Sequence, residues 1–283
     1  MIFQTALGRE GQIGPVKIKN RIVMPAMATG LGSIHGEVTP AMIQYYKERA
    51  AGGAGLIIVE IACVDSPQGR GSLTQICVDH PRYVFGLNQL CEAIQSYGCK
   101  AMLQLHHAGR QTSPIATDGM QPVAPSAIAC KLMRAMPREL TLDEIAVLKN
   151  KFVSAAFFAS QSGFDGVELH AAHGYLLSQF LSPYTNQRQD QYGGSTENRA
   201  RLLLEIITAI KSKLPRLALG VRVNMKDFVR GGLELDEGLQ LAALIEAAGA
   251  DILNVSSGIY ESGQTSIEPA SFEEGWRIDV AAA

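Results

Sequence analysis

Two histidines and a tyrosine lie close together in the stretch GVELHAAHGY, residues 166–175. Apolar residues alternate with polar or small ones at its start, which predicts a strand with two different faces. The following Ala-Ala-His-Gly is typical of a loop, so His170, His173 and Tyr175 are expected at or just beyond the strand's C-terminal end. Parallel α/β proteins bind ligands at this end, where such groups can hold an oxygen and transfer a proton. One such histidine alone is equally well explained as a core histidine beside a surface loop.

Polar residues lie at the C-terminal ends of five of the predicted strands, most of them at period-two spacing. They are Glu60, Gln104 with His106, Glu168 with His170, Arg222 with Asn224, and Asn254 with Ser256. Burying so many polar groups is costly unless they bind one another or a ligand. Arg222 in particular needs an anionic or electron-rich partner, and an internal ion pair with Glu168 is the alternative to a ligand. A ring of this kind is typical of a β/α-barrel active site.

Metal and nucleophilic chemistry are poorly supported by these residues. The candidate metal ligands are His106, His107, His170 and His173, but no carboxylate or cysteine lies at a familiar metal-binding spacing, so no metal is expected. Ser256-Ser257-Gly258 follows a strand but is not a G-x-S-x-G elbow.

A flat cofactor with polar edges fits the ring best. Gln104 can offer a donor and an acceptor to an amide-like ring edge, and Arg222 can stabilise negative charge that develops there. The histidine pair can hold a substrate oxygen above the ring.

The elements that position these residues alternate between strands and helices. The predicted strands are 17–24, 56–60, 101–105, 166–170, 218–223 and 251–255. The predicted helices are 39–51, 81–97, 141–162, 195–213 and 236–248. This alternation predicts a parallel sheet in an α/β fold. The long proline-rich segment 109–139 is interpreted as an excursion that covers a site.

Composition and charge narrow the class of protein. The chain has 283 residues, 47% of them hydrophobic, which suffices for a sizeable core. A net charge of −2 without a basic tract argues against nucleic acid as a partner. No signal-peptide pattern and no membrane-length apolar run is present. Five scattered cysteines without C-x-x-C favour reduced thiols and a cytoplasmic location.

Several longer motifs occur together and in a fixed order. They are KNRIVM at 19–24, QLHHAGR at 104–110, HAAHGYL at 170–176, QFLSP at 179–183, NQRQDQYGGS at 186–195 and ENR at 197–199. With these motifs the chain resembles the old yellow enzyme family of flavin oxidoreductases, especially the bacterial branch of 2,4-dienoyl-CoA reductases and 2-enoate reductases. The resemblance implies a (β/α)8 TIM-barrel fold, FMN as cofactor and NADH or NADPH as reductant.

The resemblance also implies roles for individual residues. Gln104 and Arg222 would contact the pyrimidine edge of FMN. Beside the isoalloxazine would lie Pro25, Ala26, Met27, Thr29 and Glu60. His170 and His173 would hydrogen-bond the carbonyl of an activated alkene, and Tyr175 would donate a proton to its α-carbon. Met27-Ala28-Thr29 departs from relatives that carry a flavin-tuning cysteine or a histidine after the first strand.

The number of predicted strands is smaller than the family fold requires. About six of eight β/α units are present, and Trp276–Ala283 resembles the start of the next family helix. Residues 1–283 are therefore expected to form one FMN-binding barrel domain that lacks strands seven and eight, with no second domain. The chain is expected to be an N-terminal portion of a longer protein or a truncated product. A 4Fe-4S cluster and FAD would belong only to a longer parent chain.

The resemblance leaves three functions to compare. The first is an FMN-dependent enzyme that reduces activated C=C bonds of small enone, enoyl or dienoyl substrates. The second is a related flavin amine dehydrogenase, which the full His-Ala-Ala-His motif disfavours. The third is a non-catalytic fragment that cannot hold FMN. No membrane partner is expected, and homo-oligomerisation is left open.

Overall fold

A computed structural model describes residues 5–267 and 269–282. The strands are β1 (Gly11–Ile13), β2 (Val16–Ile18), β3 (Val23–Met24), β4 (Leu56–Cys63), β5 (Lys100–His106), β6 (Val123–Ala124), β7 (Arg138–Glu139), β8 (Gly166–Ala171), β9 (Ala218–Asn224) and β10 (Ile252–Ser256). The α-helices are α1 (Pro40–Ala51), α2 (Val84–Gln95), α3 (Leu142–Gln161), α4 (Leu176–Leu181), α5 (Thr196–Lys213), α6 (Leu235–Ala247) and α7 (Ile278–Ala282).

Six of the strands form one parallel sheet. Their order is β3-β4-β5-β8-β9-β10, so each strand pairs with the next one along the chain apart from the small β6–β7 sheet. Helices connect the longer strands and pack on the outside of the sheet. This is the (β/α)-barrel architecture that the sequence predicts, with six strands of the barrel sheet among the described residues.

The two ends of the sheet differ in polarity. At the N-terminal end the β1–β2 hairpin places Ile13 and Ile18 in a small buried cluster with Leu56, Ile58 and Met102. A larger apolar cluster fills the space between the sheet and the helices. The buried polar side chains Gln104, His106, Glu168 and His170 lie instead towards the C-terminal ends of their strands, where barrel proteins bind ligands.

The predicted helix starts at Thr39 and Thr141 are confirmed by their capping bonds. The Thr39 hydroxyl accepts a hydrogen bond from the Met42 amide at 3.2 Å. Thr141 and Glu144 form a capping box: the Thr141 hydroxyl accepts from the Glu144 amide at 3.3 Å, and the Glu144 carboxylate accepts from the Thr141 amide at 2.8 Å. Each cap satisfies amide groups that the first helical turn cannot satisfy itself.

Replacing Thr141 with alanine should lower the free energy of unfolding by about 1 kcal/mol, because the α3 terminus loses its cap. Urea unfolding followed by circular dichroism measures the change. Ser212→Ala, on the exposed end of α5, is the matched control and should change stability by less than about 0.5 kcal/mol. Equal effects of the two substitutions would contradict the capping assignment.

The predicted strand 17–24 is wrong, because it is split in two. Its beginning belongs to the β1–β2 hairpin, and only Val23–Met24 joins the barrel sheet. Asn20 causes the break: its side-chain oxygen accepts from the Ile22 amide at 3.0 Å, and its amide donates to the Gly53 carbonyl at 2.8 Å. Such local side-chain bonds compete with a continuous strand.

Three other elements differ from the sequence-based expectation. The predicted helix 81–97 begins with a 3-10 turn, Pro81–Tyr83, and is α-helical only over Val84–Gln95. Helix α4 was not predicted, and neither was the β6–β7 sheet inside the long excursion. Both are too short to produce a clear hydrophobic period.

Helix α7 (Ile278–Ala282) agrees with the helix start that was predicted in 276–283. Residue 283 lies outside the described residues. The prediction that no signal peptide is present depends partly on residues 1–4, which lie outside the described residues. Among the helices that the structure describes, none is long and apolar enough to cross a membrane.

Candidate active site

Three aromatic side chains meet at the C-terminal end of the sheet. The His106 ring, on β5, lies 4.4 Å from the Tyr175 ring, and the His170 ring, on β8, lies 4.8 Å from it, both edge-on. The two histidine rings are 5.5 Å apart, and His173 extends the cluster at 5.2 Å from His170. The predicted group of His170, His173 and Tyr175 is thus brought together, with His106 as a fourth member.

The histidines of this cluster are held neutral. Burial lowers the pKa of His106 to about 3, and the neighbouring charge of His107 adds to the effect. Burial, helped by the charge of Arg222, lowers the pKa of His173 to about 3. The pKa of His170 is also well below its ordinary value, chiefly through burial. Neutral imidazoles can each donate one hydrogen bond to a ligand without carrying charge into the site.

Hydrogen bonds indicate the tautomer and orientation of these rings. The Ala172 amide donates to His170 Nδ1 over a long 3.4 Å, which leaves the Nε2–H of His170 as its donor. Gln75 Nε2 lies 2.9 Å from His106 Nδ1, while His106 Nε2 is buried and has no hydrogen-bond partner among the residues that the structure describes.

His173 adopts a left-handed backbone conformation, with φ of 60°. Its amide donates to Asn224 Oδ1 at 3.1 Å, its carbonyl accepts from Gln111 Nε2 at 2.9 Å, and its Nε2 lies 2.6 Å from Ser256 Oγ. Arg277 Nη1 also donates to Ser256 Oγ, at 3.2 Å. These contacts fix a conformation that non-glycine residues rarely adopt, as is common at functional sites.

The neutral histidines should make folding stability depend on pH. Because the folded-state pKa of His106 and His173 is about 3, the unfolded chain binds more protons below about pH 6.5. Their stabilising effect is therefore complete above about pH 6.5 and is lost as pH falls towards 3, by up to about 1.4 kcal/mol per pH unit for each group.

Urea unfolding of His173→Gln at several pH values between about 4 and 7 tests this dependence. The variant should show a shallower loss of stability on acidification, and His80→Gln, at an exposed surface histidine, should retain the original slope. An unchanged slope in His173→Gln would contradict the assignment.

Tyr175 lies immediately before helix α4, with its hydroxyl 3.0 Å from that of Tyr260. Burial raises the pKa of Tyr175 well above its ordinary value, and Tyr260 raises it further while Arg222 opposes the shift. The phenol therefore keeps its proton at neutral pH and is available as a proton donor.

The predicted ring of polar strand ends divides into separate groups. Glu168, buried on β8, accepts from Gln104 Nε2 at 2.6 Å and from Asn254 Nδ2 at 3.0 Å. Burial raises the pKa of Glu168, and these hydrogen bonds oppose the shift. Glu60 instead accepts from the Thr29 amide at 2.8 Å and from the Tyr46 hydroxyl at 3.1 Å.

The ion pair between Arg222 and Glu168, which the sequence left open as the alternative to a ligand, is not formed. Arg222 Nη1 donates to the Ala26 carbonyl at 3.0 Å, and its buried Nε has no hydrogen-bond partner in the described part of the chain. Burial lowers the pKa of Arg222, and the charge of nearby Glu168 only partly opposes this. An arginine with an unused donor beside a cluster of neutral donors fits a ligand with an electron-rich edge.

The segment after β3 completes the site on one side. Ala26 is buried and bonded to Arg222, and the Thr29 amide is bonded to Glu60, whereas the Met27 side chain is 52% exposed. The open Met27 side chain offers an apolar surface, Arg222 offers an unused donor, and Gln104, whose Nε2 is bonded to Glu168, offers its side-chain oxygen as an acceptor. These groups suit a flat ring with polar edges, so the residues fit a flavin.

Some contacts of the site were not predicted. Tyr260 could not be identified as a site residue from the sequence, because no local pattern shows that the turn after β10 approaches Tyr175. Asn224 and Ser256 were placed in the polar ring, but their role in holding His173 depends on the loop after β8. Among the described residues, no group of three or more His, Cys, Asp or Glu side chains is arranged to hold a metal ion.

Parallel strands with a neutral donor cluster and an arginine at their C-terminal ends define a barrel of the flavin oxidoreductase class. The chain belongs to the NADH:flavin oxidoreductase / NADH oxidase family, whose sequence profile matches residues 11–274. The predicted old yellow enzyme relationship is thereby confirmed. Members of this family bind FMN and use NADH or NADPH.

Individual relatives support the same assignment. An NADH oxidase of Thermoanaerobacter brockii is 50% identical over 273 residues, which are 96% of this chain and 42% of that protein. The structure of a 2-naphthoyl-CoA reductase in complex with 2-naphthoyl-CoA has a TM-score of 0.94 and 30% identity, covering 100% of this chain and 44% of that one. The structure of an old yellow enzyme homologue from Zymomonas mobilis has a TM-score of 0.81 and 30% identity. The match covers 89% of this chain and 74% of that one. The chain thus spans less than half the length of the first two.

Proposed function

We propose that this chain is the FMN-binding barrel of an enzyme that reduces activated C=C bonds with NADH or NADPH. In this proposal residues 1–283 form one FMN-binding domain, and the substrates are small enones or enoyl and dienoyl thioesters. The observation that carries it is the cluster of two neutral histidines and a protonated tyrosine beside Arg222. The 2-naphthoyl-CoA reductase acts on a ligand of related chemistry, an unsaturated ring conjugated to a thioester carbonyl.

The proposed roles of the cofactor-binding residues are those that the family resemblance implies. Gln104 and Arg222 would hold the polar edge of the flavin ring, and Arg222 Nε would gain the hydrogen-bond partner that it lacks within the described part of the chain. Pro25, Ala26, Met27, Thr29 and Glu60 would lie beside the ring. The chemistry that FMN supplies when bound is hydride transfer, with NADH or NADPH as the source of electrons.

The histidine pair binds and polarises the substrate carbonyl. His170 and His173 donate hydrogen bonds to its oxygen, on which negative charge accumulates as the alkene is reduced. Because burial keeps both imidazoles neutral, each has one N–H to donate to this oxygen. Asn224 and Ser256 keep His173 in position for this contact.

Tyr175 supplies the proton. The carbanion-like α-carbon of a reduced enone is much more basic than a phenolate, so a phenol with a raised pKa can still protonate it. The edge-on contacts with His106 and His170 fix the phenol ring in place.

Flavin retention tests the proposal first. The purified 283-residue chain is incubated with excess FMN, desalted, and its visible absorption spectrum is recorded. A retained flavin band, followed by NADH- or NADPH-dependent consumption of 2-cyclohexenone or crotonyl-CoA, is the expected result. Retained flavin with oxidation of trimethylamine instead of enone reduction would identify the amine dehydrogenase. Absence of retained flavin would contradict FMN binding by this chain.

A further inference from the structure

A buried ion pair joins two distant segments next to the candidate active site. Arg110, at the start of the long excursion, is 0% exposed, and the side chain of Glu261, in the turn after β10, is 2% exposed. Arg110 Nη2 and Glu261 Oε1 are 2.7 Å apart. None of the proposed catalytic steps uses this pair.

The pair fastens the excursion to the turn after β10. Arg110 Nη1 donates to the Ala129 carbonyl at 2.9 Å, and the Lys131 amide donates to Glu261 Oε1 at 3.3 Å. The hydrogen-bonding capacity of the pair is not fully used. Arg110 Nη2 is close to Glu261 but not aligned for a hydrogen bond, and Arg110 Nε and Glu261 Oε2 have no hydrogen-bond partner among the described residues. A buried ion pair of this kind contributes little net stability. We therefore consider which residues the pair positions.

Glu261 is the neighbour of Tyr260, whose hydroxyl lies 3.0 Å from that of Tyr175. Both residues belong to a 3-10 turn, Tyr260–Thr265, that follows a backbone bridge between His173 and Ile259. The ring centroids of Tyr175 and Tyr260 are 5.8 Å apart. Fixing the Glu261 side chain therefore fixes the place of Tyr260 relative to the proton donor.

We propose that the buried Arg110–Glu261 pair is a positioning device that holds the Tyr260 hydroxyl against that of Tyr175, so that two tyrosines deliver the proton together. This inference rests on the proposed function. As Tyr175 gives its proton to the α-carbon, its O–H bond breaks and a C–H bond forms. Tyr260, which is partly exposed, passes its own proton to the Tyr175 oxygen and regains one from water.

Hydrogen exchange of the protein tests the positioning step without any catalytic assay. Glu261→Gln and Arg110→Lys should each speed exchange in the turn, at 259–262, by about tenfold, because the ion pair no longer holds it. Glu237→Gln is the matched control, since it breaks the Arg199–Glu237 ion pair between α5 and α6, away from the site. Unchanged exchange at 259–262 in both pair variants would overturn the inference, whatever the enzyme reduces.

A double-mutant cycle in the FMN-loaded chain tests the link to proton delivery. Tyr260→Phe and Glu261→Gln should each slow enone reduction by about tenfold at saturating enone, and the double variant should lose no more than either one. Flavin reduction by NADH or NADPH should be unchanged in all three. Independent losses that multiply to about a hundredfold, or a loss only in substrate affinity, would overturn the role of the pair.

Discussion

Tyr175→Phe is expected to slow reduction of an enone by between about 10² and 10⁴-fold, because the α-carbon loses its proton donor. The same variant should accept electrons from NADH or NADPH at the original rate, since the phenol takes no part in flavin reduction. Stopped-flow absorbance measures the two half-reactions separately. The ring of phenylalanine retains the edge-on contacts with His106 and His170, so the fold of the site is preserved.

Tyr97→Phe is the matched control for this result. Tyr97 is 42% exposed on the outside of the barrel, and its substitution should leave both half-reactions unchanged. If Tyr175→Phe slowed both half-reactions equally, the phenol would be needed for the geometry of the site rather than for proton transfer. If neither rate changed, another group would have to be the donor.

The sequence predicted the barrel sheet well because its signals are local. Each buried strand is a short apolar run, and the caps at Thr39 and Thr141 depend on residues only three positions away. The failure at 17–24 has the opposite cause. One bond of Asn20 is to Gly53, a residue thirty-three positions further along, and no local pattern contains that information.

The partners of the polar strand ends could not be predicted for a similar reason. Period two shows which residues share a face, but not the register between strands. In the sheet Gln104 is in register with Glu168, whereas Arg222 is in register with His170 and Asn254. Register therefore places Gln104 beside Glu168, to which Asn254 also donates from two strands away, and it places Arg222 beside His170 with an unused donor.

Because Arg222 has an unused donor and no ion pair with Glu168, Arg222→Met is expected to weaken FMN binding without lowering stability. FMN affinity should fall by about tenfold to a hundredfold, because a hydrogen bond from a charged donor to the flavin edge contributes about 1.5–3 kcal/mol. The free energy of unfolding of the flavin-free chain should stay the same or rise by up to about 1 kcal/mol. Burial already disfavours the charged guanidinium, and methionine removes that cost.

Two measurements on one variant separate the two explanations of Arg222. Fluorescence titration with FMN gives the affinity, and urea unfolding without flavin gives the stability, with Arg216→Met at an exposed arginine as the control for both. If Arg222 existed to neutralise Glu168, removing it would leave a buried carboxylate unpaired and cost about 3–5 kcal/mol in the flavin-free chain. Weaker FMN binding together with undiminished stability would identify Arg222 as a ligand-binding residue, because its charge would then serve the cofactor and not the fold.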